Sequence, residues 1–117
     1  MTIINLTPHA IGVIDGVDGV TVHTIEPSGQ VARVSTRAVP QGTLGLPGGV
    51  VLPVVSTFYG DVTGIPAVGG EKFLVSSLVL DRLPIEYRGQ AFAPDTGPTA
   101  LRNDAGQVIA VRQFRTV

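Results

Sequence analysis

Short stretches rich in Val, Ile, Thr and Phe, each broken by Gly, Pro, Asp or Asn, recur from one end of the chain to the other. That spacing predicts many short strands joined by turns and leaves little room for helix. Strands are expected at residues 2–6 and 10–14, on either side of Thr7-Pro8-His9, where Pro8 withholds a ladder donor and pushes Thr7 toward extended geometry. The Asp15-Gly16-Val17-Asp18-Gly19 turn then joins the second of these to a strand at 20–25 as a hairpin. Glu26-Pro27-Ser28-Gly29 marks a further turn, followed by an alternating strand at 30–39 with Arg33 and Arg37 on one face. Residues 40–49 are rich in Gly and Pro and are expected to form a loop. A hydrophobic strand at 50–59 follows, in which Pro53 points to an edge or a bulge.

In the second half, residues 72–75 are expected as a buried strand. Ser76 or Ser77 can cap a short helix that runs to Leu83 and is ended by Pro84. Further strands are expected at 91–94, 100–102 and 107–114, the last two joined through Asn103-Asp104-Ala105-Gly106. The pattern predicts one mainly β domain over residues 1–117, a compact small β-barrel or sandwich of short strands with one short helix.

Composition narrows the function classes. At 117 residues with 44% hydrophobic and 15% charged residues, one core suffices, and the sparsely charged surface favours a homo-oligomer. A net charge of -1 weighs against nucleic-acid binding, although Arg102, Arg112 and Arg115 gather near the C-terminus. The chain has no cysteine, so disulfides, thiolate metal sites and Cys nucleophiles are excluded. No apolar run approaches the roughly 20 residues that span a bilayer, and the start carries no signal pattern, so the expected compartment is the cytoplasm.

No motif for activated chemistry stands out. The Gly42 to Gly49 stretch lacks the Lys-Ser or Lys-Thr of a phosphate loop, and no Ser lies in a nucleophile elbow. The carboxylates sit mostly in turns without a visible acid–base pair, and His9 and His23 have no spaced carboxylates that would make a metal site. Neither cofactor nor metal is expected. Polar side chains in turns favour binding instead. Arg33 can clamp an anion or snorkel at the sheet surface. His9 can donate to a phosphate or bond the local backbone, and Ser76 can do the same or merely cap the helix. Asn5 suits a base edge or a strand-end backbone bond. Asp95 and Thr96 can meet a ribose or phosphate or close an Asx turn. Arg88 is a weaker candidate of the same kind.

Four motifs occur here in order: Asn5-Leu6-Thr7-Pro8-His9, then Pro27-Ser28-Gly29 with Ala32-Arg33-Val34, then Val75-Ser76-Ser77-Leu78-Val79, then residues 93–100. Together they resemble a group of small uncharacterised proteins carried by phages, prophages and some actinobacteria. The resemblance implies phage context and no particular mechanism. By analogy of context, the leading expectation is a non-catalytic sponge that sequesters a small anionic ligand such as a nucleotide immune signal, an anti-defence role in the host cytoplasm. The alternatives are a phage structural or assembly protein with apolar subunit contacts, and a small nucleotide-cleaving enzyme.

Overall fold

The computed structural model describes residues 3–117, so Thr2, the first residue of the first expected strand, lies outside the described residues. The described residues are mainly β with one short α-helix, and their strands fall into four sheets, none of which closes into a barrel. The largest sheet has the order β1 (Ile3–Asn5), β6 (Lys72–Leu74), β7 (Ala91–Pro94), β10 (Phe114–Thr116). β1, β6 and β7 run parallel and β10 runs antiparallel to β7.

Alternation within these strands sends Ile4, Phe73, Ala91 and Ala93 to one face, where α1 (Ser77–Leu80) packs with Val79, Leu80 and the following Leu83. Leu6, Ala32 and Val75 complete this small core. Ser76 caps the helix as the sequence predicts, its Oγ accepting from the Val79 amide at 3.3 Å. The helix is shorter than expected, giving way after Leu80 to a turn and then to a 3-10 turn at Ile85–Tyr87.

The hairpin of β2 (Ile11–Ile14) and β3 (Val22–Ile25) forms where the Asp-Gly turn predicts it. Asp18 fixes its tip by accepting from the Val20 and Thr21 amides and from the Thr21 hydroxyl. Those bonds, led by the hydroxyl, pull the Asp18 pKa from 3.8 to about 2. A folded-state pKa below the unfolded one means that this contribution is present above about pH 4 and is lost as pH falls through about 2. The Thr21 amide resonance is therefore expected to titrate near 2, and a midpoint near 3.8 in an NMR pH series would refute the assignment.

The expected strand at 107–114 is divided. β8 (Leu101–Arg102) pairs with β9 (Val108–Ala110), then Val111 bridges in parallel to Val13, and only beyond a bend does the chain enter β10. Gly12 permits this junction, because the β9 backbone crosses directly over its Cα. Val111 N donates to Gly12 O and Ile14 N donates to Val111 O, both at 2.9 Å.

The main departure concerns residues 40–49, expected as a loop. They form instead the far end of a long hairpin in which β4 (Arg33–Gly45) and β5 (Val51–Thr63), of 13 residues each, pair antiparallel. Prolines are compatible because both strands are edges, where an absent donor costs no ladder bond. A register shift between Pro40 and Thr43 takes up the mismatch, with Gly42 at φ +93, in the region that glycine enters without steric cost. No residue of either strand is buried. Strands of this length reach roughly 43 Å, and they draw the molecule out to a longest dimension of 57 Å and a radius of gyration of 18.0 Å. A chain of this size packed as a ball would have a radius near about 13 Å. The hairpin is an arm.

Candidate functional site

Two shallow clefts take in three of the seven residues that the sequence singles out, Arg33 and Ser76 in the first and Thr96 in the second. The first, of about 330 Å³, has Leu6 and Val79 among its apolar lining and Thr7, Pro8, Arg33 and Ser76 among the rest. Backbone bonds explain the convergence. Leu6 N donates to Leu74 O, and Ala32 N donates to Leu6 O at 2.9 Å, which brings the base of the arm against the Thr7-Pro8 turn. The Pro27-Ser28-Gly29 turn is tied to the same place, since both the amide and the hydroxyl of Ser28 donate to Asn5 O. Three of the four sequence motifs thus meet around one turn.

Asn5 holds that turn together from inside. Its side chain is 1% exposed, and its amide nitrogen donates to His9 O at 2.9 Å and to Ile25 O at 3.1 Å. Its Oδ1 accepts from the Thr7 amide and the Thr7 hydroxyl, at 2.9 and 2.7 Å. Both donors and both lone-pair positions of the amide are used within the chain, so the bonds that would read a ligand edge are already committed. The His9 carbonyl accepts from the Asn5 amide, and the single Thr7 hydroxyl proton is shared between it and Asn5 Oδ1, while the residue stands exposed between Pro8, on the first cleft, and Ala10, on the second.

The second cleft, of about 250 Å³, lies between residues 10–12, Pro94, Thr96 and residues 108–111, and shares no residue with the first. Asp95 sits beside it with its carboxylate occupied. Oδ2 accepts from Gln113 Nε2 at 2.7 Å and Oδ1 from the Gly97 amide at 2.9 Å, which together hold its pKa below the usual range. The Thr96 carbonyl accepts from Arg102, whose other guanidinium nitrogen bonds Gly106 O. Arg88 lines neither cleft, and its Nε donates to Val117 O at 2.9 Å.

Arg33 and Ser76 are therefore brought together, whereas Asp95 and Thr96 stand apart from them and Arg88 apart from both. The first cleft offers the Arg33 guanidinium and the Ser76 hydroxyl, the Thr7 hydroxyl being committed to Asn5 and His9, a set that can hold an anion but contains no base to activate a nucleophile. Among the described residues no group of three His, Asp or Glu side chains comes together as metal ligands.

Sequence reasoning missed the outer face of the large sheet. There Ile3, Leu74, Phe92 and Phe114, joined by Ile25 from β3 and the stem of Lys72, line an apolar groove of about 220 Å³. Its signal was present in the alternation of Phe92 with the small Ala91 and Ala93, which marks a strand with something to cover on both faces. The chain matches no model of a known protein family, and comparison with curated proteins and with solved structures gives no match.

Proposed function

We propose that this chain is a structural or assembly subunit that associates with copies of itself through the β4–β5 arm. The observation that carries this reading is the arm's surface: two edge strands with no buried residue, on which Val51 is 61% exposed, Val55 54%, Leu44 53% and Phe58 51%. An isolated two-stranded hairpin is marginal in water, and covering a half-exposed Val or Leu is worth about 1 kcal/mol. A partner that covered the arm would stabilise the hairpin and hide the apolar surface in one step. Residues 38–60 contain no charged side chain, so nothing on this stretch opposes close approach of a second uncharged surface. The phage context suggested by the motif resemblance suits such a subunit.

Sedimentation velocity at micromolar concentration is expected to give a species larger than the 12.1 kDa chain. The variant Leu44→Lys with Val55→Lys is expected to sediment as the monomer while keeping the far-ultraviolet circular dichroism of the folded chain, because neither side chain touches the core. A wild-type protein that is monomeric throughout would end this reading.

A second reading, capture of a small anionic ligand, is supported by the shared cleft of Thr7, Pro8, Arg33 and Ser76. Calorimetry against a nucleotide panel that includes cyclic and ADP-ribose species tests it. Binding at micromolar strength that falls at least tenfold in Arg33→Ala is the expected result, about 1.4 kcal/mol or more. No heat from any member of the panel would remove it.

A further inference from the structure

The arm tip and the sheet groove are two apolar surfaces of one chain: Leu46 and Val50 are 40% and 50% exposed at the tip, while in the groove Ile3 is 49% exposed, Phe92 and Phe114 are half-buried and Leu74 is buried. We propose that residues 46–50 at the arm tip of one copy seat in the groove formed by Ile3, Leu74, Phe92 and Phe114 of a second copy. This rests on the assembly reading and specifies its contact.

The chemistry of the two sides matches. The tip is Leu46-Pro47-Gly48-Gly49-Val50, closed by the Leu46 amide donating to Val50 O at 2.7 Å. Gly48 and Gly49 carry no side chains, so the end of the hairpin is narrow and Leu46, Pro47 and Val50 are its protruding groups. The groove spans all four strands, with Leu74 beside Phe92 and Phe114 beside Pro94 in register. Among the described residues its only charged lining residue is Lys72, whose ammonium already donates to Gly89 O at 2.8 Å and lies 5.4 Å from the centre of the Phe92 ring. An uncharged guest is what such a lining accepts without stranding a charge.

Backbone pairing between arms is the competing arrangement, and the arm sequence opposes it. Pro40 on β4 and Pro53 on β5 remove a donor from each strand, and the register shift at Gln41-Gly42 disrupts the line of β4. Edges so interrupted extend poorly into a further ladder. Side-chain docking of the tip needs no edge donors.

Each chain then carries one plug and one socket, a head-to-tail contact that forms a ring if its rotation closes and a filament if it does not. The test uses two variants of the full chain, Leu46→Asp with Val50→Asp at the tip and Ile3→Glu with Phe92→Lys at the groove. Light scattering after size exclusion is expected to show each alone at the monomer mass. Their mixture is expected to run at twice that mass, because one supplies an intact groove and the other an intact tip. A groove variant that assembles like the wild type, or a mixture that stays monomeric, overturns the docking while leaving self-association through the arm in place. A wild type that is itself monomeric overturns both. Should the groove variant fail to fold, the cysteine-free chain permits a direct measurement with Ile3→Cys and Val50→Cys combined. Oxidation is expected to give a ladder of covalent multimers that neither single cysteine gives, and its absence overturns the proposal.

Discussion

Replacing Asn5 with leucine is expected to destabilise the fold by about 4 kcal/mol, a large share of the 5–15 kcal/mol that holds a typical domain together. Leucine has the same number and branching of side-chain heavy atoms and is somewhat bulkier, so the loss comes from hydrogen bonding and not from an empty space. It leaves the Ile25 carbonyl and the Thr7 amide without the side-chain partner they have now, and the His9 carbonyl with the Thr7 hydroxyl alone. Each buried polar group so stranded costs about 1–3 kcal/mol. Asn5→Asp separates the two halves of the network. It keeps the acceptor for Thr7 but turns a carboxylate toward two carbonyl oxygens, so its folded-state pKa lies above the unfolded value. The penalty is then largest at neutral pH and shrinks as acid protonates the carboxyl. Urea unfolding of Asn5→Leu and Asn5→Asp at pH 7 and pH 4 measures this. Wild-type stability in Asn5→Leu would show that the turn does not depend on the buried amide, and would return Asn5 to the candidates for ligand contact.

Gly12→Ala is the second large effect. A Cβ at this position would stand 2.4 Å from the Ile109 carbonyl oxygen and 3.4 Å from the Ala110 Cα. Both are backbone atoms of β9, so no side chain can rotate away. β9 has to move, and with it the paired bonds between Gly12, Ile14 and Val111 that attach the β8–β9 hairpin to the rest of the molecule. Overpacking of this kind costs roughly 2–3 kcal/mol, which for a domain of this size lowers Tm by about 10 °C. Gly16→Ala is the control, since no atom lies within 4 Å of a Cβ there. Equal melting temperatures for the two variants would contradict the close approach of β9.

What could be read from the sequence was local. Asp15 to Gly19 announced the first hairpin, Asn103 to Gly106 the last, and Ser76 the helix start, because each is a property of a few consecutive residues. The parallel pairing of Ile3, Ile4 and Asn5 with Lys72, Phe73 and Leu74 has no local signature, since the partners lie far apart in the chain. Residues 40–49 misled for a different reason. Gly and Pro signal a loop when a strand is assumed to lie inside a sheet, but they fit a strand whose outer side pairs with nothing. The candidate site was half legible. Residue type singled out Arg33 and Ser76, which share a cleft, but gave no hint that Asn5 was already fully bonded or that Asp95 and Thr96 belonged to another part of the surface.

The parallel β1–β6 pairing also sets an order of events during synthesis. β1 leaves the ribosome early yet has no neighbour in its sheet until Lys72 to Leu74 have been made, so the sheet core closes late. The arm needs only its own two strands and one tight reversal of the chain, and both strands are made shortly before β6, so it can pair ahead of that closure. For that interval a nascent polypeptide presents an exposed apolar hairpin, marginal by itself, attached to an unfinished body. In crowded translation that uncovered surface is open to other chains before the groove that would receive its tip exists, so yield of native protein should improve when expression is slowed.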